Sequence, residues 1–179
     1  GKTSVAGVDE RQAASQGFQT DCMAPTEILA SKNAETLDKL LRPCELKVAL
    51  LTGSVKGQAR KALYEQIANG GVDVAVGTHA LIQDAVRYHK LGFVVIDEQH
   101  RFGVKQRQQL LAKSKPLPHL LAMTATPIPR SLALTVYGEL DVSILNELPK
   151  RPNPIEPKLR PPNRRPQLFD NFDDERAPR

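Results

Sequence analysis

Phe93-Val94-Val95-Ile96-Asp97-Glu98-Gln99-His100 decides how this chain is read: four apolar residues run directly into two acids. An unbroken apolar run of this length suits a strand buried on both faces, as in a parallel sheet lying under helices. Two carboxylates at the end of such a strand would be costly to bury without a cation beside them. They point to a site at the carboxyl edge of the sheet, where open α/β sheets hold their ligands.

The surrounding sequence supports that placement. Residues 72–76 and 120–124 are compact apolar runs of the same kind, and residues 19–23 and 47–51 read as further strands. Helical stretches fall between them. The first covers residues 3–15 and is stopped by Gly17; the second covers 27–41, with Thr26 placed to cap it and Pro43 to close it. In residues 56–69, Ala59, Leu63 and Ile67 recur at helical spacing, and Gly70-Gly71 ends the pattern. Residues 105–112 and 130–137 complete the helical set. Strand alternating with helix throughout predicts an α/β domain with a mainly parallel sheet, covered by helices and joined by right-handed crossovers.

Two more segments carry chemistry at the predicted strand and helix ends. Gly1-Lys2-Thr3, opening a helix, matches the end of a G-x-x-x-x-G-K-[ST] phosphate loop, whose five upstream positions lie outside this chain. In that loop glycine lets backbone N–H groups approach phosphate, lysine brings charge to the β and γ phosphates, the hydroxyl reaches Mg²⁺, and the helix dipole adds to the field. A bare Gly-Lys-Thr is common by chance. With the two acids at a plausible separation, it predicts that Lys2, Thr3, Asp97 and Glu98 share one nucleotide, Asp97 facing Mg²⁺ and Glu98 the attacking water. Met123-Thr124-Ala125-Thr126-Pro127 follows another apolar run, so its hydroxyls end near the same acids; a plain Thr-Pro loop is the ordinary alternative.

Taken together these motifs resemble those of superfamily 2 helicases. Asp97-Glu98-Gln99-His100 is similar to their DExH box and Thr124-Ala125-Thr126 to motif III. Residues 23–30, Met-Ala-Pro-Thr-Glu-Ile-Leu-Ala, resemble motif Ia, while Leu51-Thr52-Gly53-Ser54 and Val76-Gly77-Thr78-His79-Ala80 resemble the two motifs that follow it on the DNA backbone. Arg101-Phe102-Gly103-Val104 and Thr126-Pro127-Ile128-Pro129-Arg130 are similar to the branch containing RecG-type helicases and the transcription-repair coupling factor. The Gln99 form of the box, Leu140-Asp141-Val142-Ser143 and Glu147-Leu148-Pro149 resemble the RecG type. The resemblance covers residues 1–154, with every motif in order.

The resemblance implies a RecA-like P-loop domain, the first motor domain of an ATP-driven enzyme that moves on double-stranded DNA and remodels stalled forks and Holliday junctions. It implies ATP and Mg²⁺ at Gly1, Lys2, Thr3, Asp97 and Glu98, with Thr3 and Asp97 nearest the metal and Lys2, Asp97 and Glu98 carrying the catalysis. Gln99, His100, Thr124 and Thr126 would couple nucleotide state to DNA, and Pro25, Thr26, Thr52, Gly53, Gly77, Thr78 and His79 would line a phosphate track. Such contacts position a duplex without reading its sequence. The implied partners are duplex and branched DNA, together with a second motor domain and a wedge domain of the parent chain. The implied place is the bacterial cytoplasm, near the nucleoid. Family sheets of this kind carry a central strand before the phosphate loop, so the expectation here is a sheet without it and little ATP turnover by these residues alone. Two alternatives stay open: the motor of a transcription-repair coupling factor, and a DNA-binding relic without chemistry.

Composition adds limits more than identity. The balance of 25 Lys and Arg against 20 Asp and Glu, net +5, is compatible with a polyanionic partner and does not require one. No apolar run approaches the roughly 20 residues that span a bilayer, so no membrane partner is expected. Cys22 and Cys44 have neither metal-site nor redox-motif spacing and read as two free thiols, and His79 and His119 read as structural residues. Lys56, Arg60 and Lys61 read as a solvated basic face, while Arg101 and Arg130 stay open between surface charge and a role between motor halves. Eight of the 14 prolines lie at or after Pro149, which predicts a domain over residues 1–157 and an extended or disordered Pro/Arg-rich tail over 158–179.

Overall fold

A computed structural model describes residues 2–125, 141 and 143–145. Contacts divide the chain into Gly1–Val142 and Ser143–Arg179; the expected boundary near residue 157, the tail and the helix expected over 130–137 lie outside the described residues.

The helices are α1 (Lys2–Ser15), α2 (Glu27–Leu41), α3 (Gly57–Ala68) and α4 (Val104–Leu111). The strands are β1 (Gln19–Met23), β2 (Val48–Leu51), β3 (Val74–Gly77), β4 (Leu91–Ile96) and β5 (His119–Ala122). They form one five-stranded sheet in the order β2-β3-β1-β4-β5, and every neighbouring pair is parallel. The expected alternation of strand and helix is therefore met. Among the described residues the central strand is β1, which bonds to both β3 and β4.

Because the strands are parallel, the loops that follow them leave along one edge. β4 ends at Ile96, so Asp97 is the first residue past the strand instead of its last, one position from the expected end. Gly77 closes β3 for a steric reason: a Cβ there would stand 2.1 Å from the Leu51 carbonyl oxygen, so only glycine lets β2 and β3 approach this closely. Thr26 caps α2 as expected, its hydroxyl accepting the Leu29 N–H at 3.2 Å.

Apolar side chains fill both faces. Ala6, Cys22, Ala30, Leu37, Val76 and Val95 pack between the sheet and α1 and α2. On the other face, Leu51, Ile67 and Leu81 form one cluster and Met23, Ile96 and Leu110 another. Arg60 departs from the solvated face expected of it. Its guanidinium donates to the Tyr64 hydroxyl at 2.6 Å and to the Gln83 amide oxygen at 2.7 Å, and it lies 5.5 Å from the Tyr64 ring centre. Both cysteines are free thiols. Among the described residues no helix is long and apolar enough to cross a membrane.

The interior also holds unusual acids. Glu10 of α1 is fully buried, with no nitrogen or oxygen donor on either carboxylate oxygen and only the Cys22 thiol beside it. Burial, with Asp21 and Asp9 adding repulsion, pushes its pKa from an ordinary 4.5 to about 8 against the weak opposing effect of that thiol. Asp21 in β1 is equally buried and is pushed from 3.8 to about 7 by burial, although the Tyr88 hydroxyl donates to one oxygen and Lys113 adds an opposing charge. Its second oxygen has no partner.

Candidate active site

Lys2 and Thr3 occupy the first turn of α1, where the backbone N–H groups are free of helical partners and no acidic side chain offsets the positive end of the dipole. The loop after β4 brings the acids to the same place. Lys2 Nζ lies 4.0 Å from Glu98 Oε1, with both side chains only partly exposed. The convergence of the amino-terminal lysine with the paired acids, on which the nucleotide expectation rests, is therefore present in the fold.

Asp97 is 7% exposed, and each of its oxygens is engaged. Oδ1 accepts the Glu98 N–H at 2.9 Å, and Oδ2 accepts the Asn33 side-chain amide at 3.1 Å. A carboxylate offers about four lone-pair directions, so these two bonds leave acceptor capacity for a cation. Among the described residues no group of three or more His, Cys, Asp or Glu side chains forms a metal cage. That fits magnesium, which retains waters and phosphate oxygens and takes only one or two protein carboxylates.

Glu98 adopts a left-handed backbone at φ 50°, a conformation that costs a non-glycine residue on the order of 1–3 kcal/mol and concentrates at functional sites. The turn aims its carboxylate between three elements. Oε1 faces Lys2, while Oε2 accepts the Ala125 N–H at 3.3 Å and lies 3.5 Å from His100 Nδ1. The loop after β5 is tied to the box a second time, because the Gln99 N–H donates to the Met123 carbonyl at 3.0 Å. Gln99 is buried and its side-chain oxygen has no partner. Of the residues expected to couple, Gln99, His100 and Thr124 thus lie in or next to this junction; Thr126 and Gly1 fall outside the described residues.

The expected phosphate-track residues follow the ends of β1, β2 and β3 along the same edge. Pro25, Thr26, Gly53 and His79 reach the surface wholly or in part, whereas Thr52, Gly77 and Thr78 are buried. The two loops are pinned together: the Ser54 N–H donates to Glu27 Oε1 at 3.2 Å, and the Thr52 and Ser54 hydroxyls are 2.6 Å apart. A cleft of about 590 Å³ opens beside them, lined by Pro25, Thr26 and His79 of the track and by Glu98, His100 and Arg101 of the box region. His79 and His119, read from the sequence as structural residues, are both exposed.

Two contributors escaped the sequence reading. Glu27 reads from the sequence as a helix start within the stretch resembling motif Ia, with no role of its own, and Asn33 carries no expectation. Asn33 did carry a signal, being the polar residue among Ala30, Ala34, Leu37 and Leu41 on the buried face of α2.

The fold and these motifs have clear counterparts. The profile of a family described as DEAD/DEAH box helicase matches residues 1–135. The chain is 52% identical over 156 residues to the ATP-dependent DNA helicase RecG of Bacillus subtilis (strain 168), covering 87% of this chain and 23% of that protein. It is 46% identical over 176 residues to the RecG of Aquifex aeolicus (strain VF5), covering 98% of this chain and 22% of that protein. A solved structure of RecG bound to a three-way DNA junction superimposes with a TM-score of 0.76 at 38% identity, covering 98% of this chain and 23% of that one. The parallel sheet under helices is that of a RecA-like helicase domain, and the chain spans under a quarter of the length of these relatives.

Proposed function

The chain belongs to the DEAD/DEAH box helicase family, and from that premise we propose that it is part of an ATP-dependent DNA translocase of the RecG type, acting on stalled replication forks and Holliday junctions. One observation carries the reading: Lys2 at a helix N-terminus and the Asp97-Glu98 pair meet at a single rim, with 4.0 Å between the Lys2 ammonium and Glu98. A cation, a helix dipole and two carboxylates facing one another suit a magnesium-bound triphosphate better than they suit each other alone.

ATP with Mg²⁺, when bound, supplies the phosphoryl group and the charge that offsets its negative oxygens. Lys2 and the first N–H groups of α1 hold the phosphates, with Thr3 and Asp97 facing the metal. Glu98 accepts a proton from the attacking water, so that water and ATP give ADP, phosphate and a proton on the carboxylate. Any change at Glu98 reaches Ala125 and His100 directly and the loop after β5 through Gln99, which is the basis for giving Gln99, His100, Thr124 and Thr126 the coupling role. Pro25, Thr26, Thr52, Gly53, Gly77, Thr78 and His79 form the track side; short hydroxyls and backbone groups there suit phosphate contacts. The RecG structure bound to a three-way DNA junction supports branched DNA as the substrate. A second motor domain, a wedge domain and a bacterial cytoplasmic setting near the nucleoid belong to the same proposal.

Steady-state phosphate release with and without forked DNA tests it. The full-length protein is expected to turn over ATP and to be stimulated tenfold or more by forks, with these 179 residues alone at less than a tenth of that rate. Release that forked DNA leaves unchanged would remove the translocase reading.

A further inference from the structure

Asn33 is the buried polar residue of α2, 3% exposed in a face otherwise made of Ala30, Ala34, Leu37 and Leu41. A side-chain amide in such a place loses its water and needs a partner in return. The partner is Asp97: Asn33 Nδ2 donates to Oδ2 at 3.1 Å across 64 positions of sequence. The opposite oxygen takes the Glu98 N–H at 2.9 Å. Two donors from two different elements therefore fix the plane of the carboxylate, one from the helix and one from the backbone that follows it.

The geometry points to Asn33 as a positioning residue for the metal-facing carboxylate; the inference rests on the nucleotide site proposed above. A free aspartate turns broadly about χ2, and each angle within that range would aim its lone pairs differently at a cation. The amide of Asn33 selects one of them. It donates without carrying charge, so it holds the carboxylate while leaving its full negative charge for a divalent ion, which a lysine or arginine in the same place would not. The same helix ends at Thr26 and Glu27, where Glu27 receives the Ser54 N–H. Asn33 lies seven residues along α2 from its cap, roughly 10 Å at the helical rise. One rigid helix therefore joins the loops after β1 and β2 to the Asp97 side chain.

The test is a titration of Mg²⁺ into the full-length protein holding a fluorescent ATP analogue, compared with the affinity for that analogue in the presence of EDTA. Asn33→Leu keeps the shape and removes the donor, and Asn33→Ala serves the same comparison if the leucine is not accommodated. Residues that orient a metal ligand typically change metal affinity about 10–100-fold, and a rise of that size in half-saturating Mg²⁺ is expected with the EDTA affinity within about twofold of wild type. Asn33→His, whose Nδ1 lies as many bonds from Cα as the asparagine Nδ2, is expected to recover much of the loss. Unchanged Mg²⁺ dependence in the leucine and alanine variants overturns the inference. Equal losses with and without Mg²⁺ also overturn it, since they mark a residue that only supports packing. A wild-type protein whose binding of the analogue ignores Mg²⁺ removes the proposed nucleotide site first, and this inference with it.

Discussion

Asp21 and Asp97 are both buried acids on neighbouring parallel strands, yet the fold provides for them differently. Asp97 stands just beyond β4, where a backbone N–H and the Asn33 amide meet its two oxygens and the strand-end rim lies open above it. Asp21 sits within β1, opposite Val94 of β4, fully buried, with one oxygen on the Tyr88 hydroxyl and the other unpartnered. Glu10, packed over the same strand from α1, has only the weakly donating Cys22 thiol beside it. Four of the six unpartnered buried side-chain oxygens among the described residues belong to Glu10, Thr20 and Asp21, all in α1 and β1. The same chemical group is held by two donors beside an open rim where the strand ends beneath it, and is left short of donors where the strand continues past it.

The sharpest way to break this contrast is to alter one acid from each region and ask what fails. Glu98→Gln keeps the shape and removes the proposed base. Phosphate release by the full-length protein is expected to fall on the order of 10²–10⁴-fold while the melting temperature barely moves. Gly77→Ala addresses the frame that carries the rim. Its Cβ would meet the Leu51 carbonyl oxygen at 2.1 Å, and a loss of roughly 3 kcal/mol or more in urea unfolding is expected from forcing β2 and β3 apart.

Glu10→Leu should do the reverse of Glu98→Gln. Removing an unpartnered buried carboxylate is expected to stabilise the domain by roughly 1–3 kcal/mol at neutral pH, leaving nucleotide binding in place. The pH profile sharpens the point. The folded pKa of Glu10 is raised from 4.5 to about 8, so the folded state retains a proton that the unfolded chain releases. Its cost is absent below 4.5 and grows as pH rises to about 8, at about 1.4 kcal/mol per pH unit within that window. Asp21 behaves in the same sense between 3.8 and about 7. Urea midpoints measured from pH 5 to 8 should therefore decline for wild type and decline less steeply for Glu10→Leu. A flat wild-type profile would show that the two acids are hydrated or partnered after all. The smallest effect belongs to Thr26→Ala, which removes the α2 cap and is expected to cost about 1 kcal/mol.

Much of this was legible in the residues themselves. Strands β2 to β5 showed largely as apolar runs, and α2 was bracketed by Thr26 and Pro43, because burial on two faces and helix capping both leave local marks. The Lys2–Glu98 meeting was legible only through the pairing of motifs, since 96 positions separate the two residues and nothing local links them. The position of β1 at the sheet centre could not be read, because strand order follows from crossovers, and Gln19-Thr20-Asp21 looks too polar for a fully buried strand. Asn33 was hidden for a related reason. A polar residue on an apolar helix face signals a partner without naming it, and Asp97 is found only once the helix is laid on the sheet.

The central claim is that Lys2 and Asp97 serve one magnesium–triphosphate. A double-mutant cycle in Mg²⁺-ATP binding to the full-length protein tests it most directly, using Lys2→Ala, Asp97→Asn and the pair. Each single change is expected to weaken binding at least tenfold, and the pair to lose clearly less than the sum, with an interaction energy on the order of 1 kcal/mol or more. Losses that add in full, or single variants that bind like wild type, would place the two residues at separate sites and contradict the account.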